Sequence, residues 1–244
     1  MVDLDIVIPV YNEGEGILET LEALERSVKT PCRLLICYDC DDDSTLPVVA
    51  AYAWSSKLAI RTIKNTRSGV HGAVVTGFEA STAPAVLVFP ADDAYNAPRI
   101  DAMMSLFRDG CEIVCASRFM RGGRMEGCPW LKAVLVRVSS FTLYHVARLP
   151  THDATNGLRL FSRRLLHSVA IESQVGFAFS LELLVKAHRL GWRVGEVPAL
   201  WIERKTGQSH FRVLQWLPQY LRWYRYGFAN FYFRKGHRSV VVPE

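Results

Sequence analysis

Short apolar runs, each closed by proline or acids, alternate with stretches whose apolar residues recur every three to four positions. LDIVIPVYN (4–12) is broken by Pro9 and ends in polar residues, the form of a strand buried on both faces of a parallel sheet. Ile17, Leu21, Leu24 and Val28 then fall on one helical face. Asn12 is placed to cap that helix, with Glu13 and Glu15 at the positive end of its dipole. CRLLICYD (32–39), LAIRTIKN (58–65) and AVLVFPADD (85–93) predict the next three strands, and SGVHGAVVTGFEAS (68–81) a small-residue loop entering a helix. Alternation over about 100 residues argues an α/β fold, a Rossmann-like, mainly parallel sheet flanked by helices, with its site at the C-terminal ends of the strands.

Past CEIVCASRFMRGG (111–123) the alternation loosens. Residues 131–148 read as helix, THDATNGLR (151–159) as a polar turn, and a later helix carries Glu182. The end differs in kind: from Arg204 to Pro243 there is no Asp or Glu, but eight Lys or Arg, with nine aromatics interleaved between Trp216 and Phe233. This predicts two parts, a domain over 1–212 and an amphipathic basic-aromatic helical segment over 213–244. Such a segment suits the headgroup region of an anionic membrane. It suits equally well a helix packed on its own core or on a second subunit, which leaves a homodimer open. Aromatic and basic residues also mark single-strand nucleic-acid binders, but those present aromatics on a different kind of sheet, so no nucleic-acid partner is expected.

With 244 residues, half of them apolar, the chain can bury one sizeable core. Its net charge of +5 permits an anionic partner without identifying one. Six cysteines and a start that runs directly into a strand, without a signal peptide, predict a cytoplasmic setting. Cys37 and Cys40 have the spacing of a metal or redox pair, yet the residues between them suit a strand and an acidic loop, so buried hydrophobes are the reading preferred. No apolar run reaches the ~20 residues of a spanning helix. Any membrane contact is then peripheral, on the inner face of the cytoplasmic membrane.

The acids at the strand ends bring in chemistry. Asp39, Asp41, Asp92 and Asp93 all fall at the edge where an α/β sheet holds its ligand. Paired carboxylates there suit Mg²⁺ or Mn²⁺, which prefers oxygen ligands and shares them with phosphates. Asp92 or Asp93 could instead cap a helix starting near Ala97-Pro98.

Seven segments in order, from IVIPVYNEGEGI through the acidic end of strand two, NTRSGVHGAVVTGF, FPADDAYNAP, ASRFMRGG and HDATNGLRLFSRRLL to GFAFSLELLVKAHRLGWRVGEVPALWIERKTGQSHF, resemble glycosyltransferase family 2 with the GT-A fold. They are most similar to its dolichol- or polyprenyl-phosphate mannosyltransferase branch. The resemblance implies an inverting transfer of a hexose, mannose or glucose, from a GDP- or UDP-sugar to an acceptor such as a polyprenyl phosphate. It implies nucleotide-sugar contacts at Pro9, Tyr11, Asn12, Glu13, Asp39, Asp41, Gly69 and Asp92, with Gly72 in the same small-residue loop. Metal would be held by Asp92, with Asp93 beside it; the family's D-x-D has its first acid replaced by Pro90.

Catalytic candidates on the same grounds are Asp92, Asp153, Arg118 and Arg204, and the acceptor phosphate would meet Arg118, Arg137, Arg204 and His210. Asp153 is the candidate base or sugar-orienting carboxylate, and Glu182 and Glu196 also match family positions. A phosphate monoester acceptor is already anionic near neutral pH and needs no base, and arginine forks suit its oxygens. Two other readings stay open: a catalytically inactive relative serving as a membrane-associated subunit, for which Pro90 is the motive, and a sugar nucleotidyltransferase, against which the acidic VIPVYNEGEG stands.

Overall fold

The computed structural model describes residues 2–202 and 213–233. The expected strands form as β1 (Leu4–Val10), β2 (Cys32–Tyr38), β3 (Ala59–Lys64), β4 (Ala85–Val88) and β5 (Ile113–Ser117). Between them lie α1 (Ile17–Ser27), α2 (Thr45–Ser55), α3 (Gly69–Ala80) and α4 (Ile100–Arg108). A short β6 (Arg124–Glu126) and the long α5 (Trp130–His145) follow, then β7 (Arg159–Ser162), α6 (Arg163–Ser168), α7 (Ala178–Arg189), β8 (Val194–Pro198), β9 (Leu200–Ile202) and α8 (Val213–Phe233).

Seven strands make one sheet in the order β3-β2-β1-β4-β7-β5-β8. All run parallel except β7, which is inserted antiparallel between β4 and β5, so that Arg159 pairs with Val88 on one side and Cys115 on the other. The polar turn expected at 151–159 therefore ends in a central strand. Its reversal brings the start of β7 to the pole where the parallel strands end, which carries residues 151–158 to that pole. β6 and β9 pair separately as a small second sheet.

Alternate β1 residues face opposite layers: Leu4, Ile6, Ile8 and Val10 enter a core shared with α1 and α4, while Val7 faces α3. A second core joins Phe161 of β7 to Phe179, Leu183 and Leu184 of α7 and to Trp223 of α8, which is 1% exposed. The basic-aromatic segment thus contributes to the core. Beneath Trp223 the buried Lys186 ammonium donates to the Glu182 and Glu172 carboxylates at 2.7 and 2.8 Å and lies 4.9 Å from the indole centroid.

At the opposite pole of β1, Asp5 receives Arg33 through Nε and Nη2, both at 2.9 Å, with Ser81, Thr82 and Ala83 donating as well. Cys37 and Cys115, inside β2 and β5, are buried, and burial pushes the Cys37 thiol up to about 12.

Candidate active site

The loops after β1 and β2 are stitched together by short polar side chains. The Asn12 N–H donates to Asp43 Oδ2 at 3.1 Å, Asn12 Oδ1 accepts from the Ser44 N–H at 3.1 Å, and the Glu13 N–H donates to Thr45 Oγ1 at 3.0 Å. Asn12 adopts a left-handed φ of 54°, which asparagine tolerates better than most residues. It is not a helix cap, because a 3₁₀ turn (Gly14–Gly16) separates it from α1; its carbonyl is committed across the loops. Tyr11 stays 54% exposed beside this clamp, and Pro9, paired with Cys37, lies in β1 just below it.

Asp39, at the end of β2, accepts from Asn65 Nδ2 at 2.7 Å and from the Gly69 N–H at 2.8 Å. Gly69 sits at φ 79°, and a Cβ at Gly72 would meet the Arg67 carbonyl at 2.6 Å, so both glycines of this loop are required by backbone geometry. Asn65 Oδ1 in turn accepts from the Arg67 N–H and the Thr76 hydroxyl. Asp41 forms an exposed ion pair with Lys64.

Beyond β4 the chain passes Phe89 and Pro90 to an exposed Asp92 and a partly buried Asp93. The helix entry differs from the expected start near Ala97: a 3₁₀ turn (Ala94–Arg99) precedes α4, and Asp93, at its N-cap position, makes no side-chain cap hydrogen bond. Instead Asp93 Oδ1 accepts from Asn96 Nδ2 at 2.6 Å, and Asn96 also bonds both the carbonyl and the N–H of Leu200. Burial pushes Asp93 up to about 7 against the opposing Asn96 bond, and the Asp92 charge adds to the rise.

Among the described residues, no three His, Cys, Asp or Glu side chains converge into a metal cluster. One exposed carboxylate at a strand end still fits a hard cation that draws its other oxygens from a diphosphate and water.

Across the same pole Arg118 and Asp153 meet. Arg118 follows β5 and is 8% exposed; Asp153 is wholly buried. Arg118 Nε donates to Asp153 Oδ2 at 2.7 Å, Nη2 donates to Oδ1 at 2.9 Å, and the Arg118 N–H adds a bond of 3.1 Å. Thr155 supplies further donors to Oδ1 and accepts from Nη2 at 2.7 Å. Burial by itself would raise the Asp153 pKa, but the guanidinium and these N–H groups hold it below the ordinary range. Gly123 makes the turn after Arg118 possible, since a Cβ there would lie 2.3 Å from the Ser117 carbonyl.

Three further groups fix the 151–156 loop. Glu196 accepts from the Thr151 hydroxyl, the His152 N–H and the His152 ring. Asn156 donates to the Ala116 carbonyl, and the buried Arg159 donates to the Ser180 and Asp153 carbonyls. Glu182 lies elsewhere, accepting from Lys186 and from the N–H groups of Glu172 and Ser173. Arg137 is exposed on α5 and outside the Arg118–Asp153 pairing. Arg204 and His210 lie outside the described residues.

Asp43, Asn65 and Asn96 hold the site together and were not singled out from sequence as its residues. The signal for Asn65 was its place directly after β3, and for Asn96 its spacing of three from Asp93.

Residues 5–169 match the family described as Glycosyl transferase family 2. Over 206 residues the chain is 29% identical to a dolichyl-phosphate hexose transferase of Haloferax volcanii, covering 83% of this chain and 84% of that protein. It is 26% identical over 231 residues to a polyprenol monophosphomannose synthase of Mycolicibacterium smegmatis, covering 86% and 85%. Its fold is that of glucosyl-3-phosphoglycerate synthase from Mycobacterium tuberculosis, solved with UDP, at a TM-score of 0.64, 16% identity and coverage of 92% of this chain and 80% of that one. A mannosyltransferase of Pyrobaculum calidifontis, solved with GDP-Man and Mn²⁺, superposes at a TM-score of 0.63 with 20% identity, covering 99% of this chain and 66% of that one. With the family matched from β1 through β7 and the GT-A architecture around the Asp92 and Arg118 loops, the chain belongs to glycosyl transferase family 2.

Proposed function

We propose that this glycosyltransferase moves a hexose from a GDP- or UDP-sugar to a polyprenyl phosphate, inverting the anomeric carbon, at the cytoplasmic surface of a membrane. The relatives named as acting on dolichyl and polyprenyl phosphates support the acceptor. The observation that carries the reading is the Arg118–Asp153 pair, a buried guanidinium with a fixed direction, at the same pole as the exposed Asp92.

In this reading the Asn12–Asp43 clamp and the Asp39–Gly69 loop shape the nucleotide pocket. Mg²⁺ or Mn²⁺ held at Asp92 would offset the charge of the leaving diphosphate. The acceptor phosphate oxygen attacks the anomeric carbon while the bond to the diphosphate breaks, its electron pair leaving with the nucleoside diphosphate. No base is required of the protein. Asp153, held deprotonated by its donors, acts as a positioning residue: it consumes Nε and Nη2 of Arg118 and aims the remaining edge of the fork, Nη1, at a phosphate. Arg137, Arg204 and His210 are assigned to the acceptor phosphate.

The test is nucleoside diphosphate release from a panel of GDP- and UDP-hexoses with polyprenyl phosphate, with and without Mn²⁺, for wild type and Asp92→Ala. Turnover of one donor that needs the lipid and collapses in the variant is expected. A folded protein inactive across the panel would sink the transfer reading in favour of an inactive subunit.

A further inference from the structure

Helix α8 grips the segment that leads into α7 at three points. Arg222 pairs with the Glu172 carboxylate. Trp216 covers Gly176, where a Cβ would lie 2.6 Å from the indole. Next to Gly176, the Phe177 N–H donates to the Tyr220 hydroxyl oxygen. Trp216, Tyr220 and Trp223 stand at i, i+4 and i+7, so one face of α8 carries all three inward.

Beneath that segment lies the active site. The Phe177 ring presses on Gly157, where a Cβ would lie 3.0 Å from it, and the Phe177 carbonyl accepts from the Ser180 N–H at 3.0 Å. The Ser180 carbonyl receives Arg159, whose other terminal nitrogen reaches the Asp153 carbonyl, and the Asp153 carboxylate receives Arg118. Contacts therefore run from Tyr220 through Phe177, Ser180, Arg159 and Asp153 to Arg118. The path is compact enough for the charges of both guanidiniums to act on the phenol.

Elementary chemistry fixes what this hydroxyl offers. Its oxygen takes the Phe177 N–H, and the two guanidiniums carry donors only. The O–H hydrogen is thus turned away from all three, toward a group that accepts. Burial raises the phenol, so it keeps its proton at neutral pH. Asp153 consumes Nε and Nη2 of Arg118, which leaves Nη1 as the one nitrogen of that fork for a ligand. Arg159 adds a buried Nε with no partner among the described residues. A neutral donor beside surplus positive charge suits an anion with several oxygens, and a phosphate monoester held by Nη1 alone would still be free to swing.

We propose that Tyr220 is a ligand of the acceptor phosphate, its O–H donating to an oxygen of the same phosphate that Arg118 Nη1 binds. This rests on the phosphate-acceptor reading above and adds a residue to it. It also makes α8 a wall of the acceptor site as well as part of the core.

The experiment is calorimetric binding of citronellyl phosphate, a short isoprenyl monophosphate, and separately of GDP and UDP with Mn²⁺, to the full chain. Wild type is compared with Tyr220→Phe, which keeps the ring and removes the hydroxyl. Tyr224→Phe, which breaks the 2.8 Å bond between the Tyr224 and Thr142 hydroxyls, is the control on the same helix. Tyr220→Phe should bind citronellyl phosphate about 10- to 100-fold more weakly, the loss of one hydrogen bond to a charged group, with nucleotide binding and melting temperature as in wild type. Tyr224→Phe should bind both ligands as wild type. In turnover, Tyr220→Phe should raise KM for the lipid phosphate and leave KM for the sugar nucleotide unchanged.

Equal affinity of wild type and Tyr220→Phe for citronellyl phosphate overturns the proposal, as does a wild type that binds no citronellyl phosphate. Joint loss of phosphate and nucleotide binding in Tyr220→Phe, or equal weakening in Tyr224→Phe, also overturns it, because either marks a role in packing alone. Tyr220-dependent binding of citronellyl phosphate by a chain that transfers no hexose to polyprenyl phosphate upholds the phosphate ligand and removes the transfer reading alone.

Discussion

Arg118 and Asp153 face each other in a two-pronged pairing, at 2.7 and 2.9 Å, that joins the end of β5 to the loop before β7. Each is 35 residues from the other in sequence and each is buried, so removing one strands a charge in the interior. Asp153→Ala should therefore destabilise the fold by about 3–5 kcal/mol, read from urea unfolding. Arg118→Lys keeps the charge and loses the fork. We expect it to fold and to transfer sugar about 100-fold more slowly, the cost of one misdirected donor at a developing charge. If Arg118→Lys retains wild-type kcat, the fork does not face the reacting phosphate.

The parallel half of the fold was legible because β1, β2 and β4 are apolar on both faces and end in Pro, Asp or Asn at one edge. β7 was not, since its four residues follow a long polar turn and include Arg159, a residue that argues against a central strand until its carbonyl partners are seen. The site divides in the same way. Asp39, Asp92 and Arg118 could be found from strand ends and motif likeness. Asn12 was misread as a local cap because its true partners, Asp43 and Ser44, are more than 30 residues away. Asn96, bonded to Leu200 across 104 residues, left no local trace of that bond.

Two glycines separate backbone demand from chance. Gly77 lets α3 press on β1: a Cβ there would lie 2.4 Å from Val7 Cγ1 and 3.1 Å from the Cys37 sulfur. Alanine gains about 1 kcal/mol in helix propensity, which the overpacking cost of about 1–3 kcal/mol exceeds. Gly77→Ala should thus lower the melting temperature. Gly16 has helical φ and nothing within 4 Å of a Cβ, so Gly16→Ala should raise stability by about 0.4–1 kcal/mol. Equal shifts in the two variants would show that α3 yields where the contacts say it cannot.

One source of acid lability should be the Asp5–Arg33 pair. Burial opposes the charge on Asp5, but Arg33 and the donors from Ser81, Thr82 and Ala83 outweigh it and hold the folded pKa below the ordinary 3.8. A depressed folded pKa adds stability that is fully present above 3.8 and is lost as pH falls through the folded value. The urea midpoint should accordingly be level for this group at neutral pH and drop on acidification below about 4. Asp5→Asn should be less stable at pH 7 and show a shallower acid limb. A limb of unchanged slope in Asp5→Asn would assign the acid transition to other carboxylates, with Asp153 and Glu172, both held low by cations, next in line.

The last prediction concerns how firmly α8 is held. Lys186, wholly buried on α7, binds Glu182 and Glu172 and lies under Trp223, while Arg222 of α8 reaches the same Glu172 carboxylate. Lys186→Met removes the cation and leaves Glu182 charged in the core, although Ser173 and the Glu172 N–H still donate to it. A loss of about 3–5 kcal/mol is expected. Trp223→Ala empties the same place from the other side and should cost about 3–5 kcal/mol through the cavity. Because both residues touch, the double variant should cost less than the sum of the two, a coupling of about 0.5–3 kcal/mol. Limited proteolysis should then cut within α8 in each single variant but not in wild type. Strict additivity, with α8 still protected, would mean that the helix is held by its other aromatic contacts and that the ion cluster stabilises α7 alone.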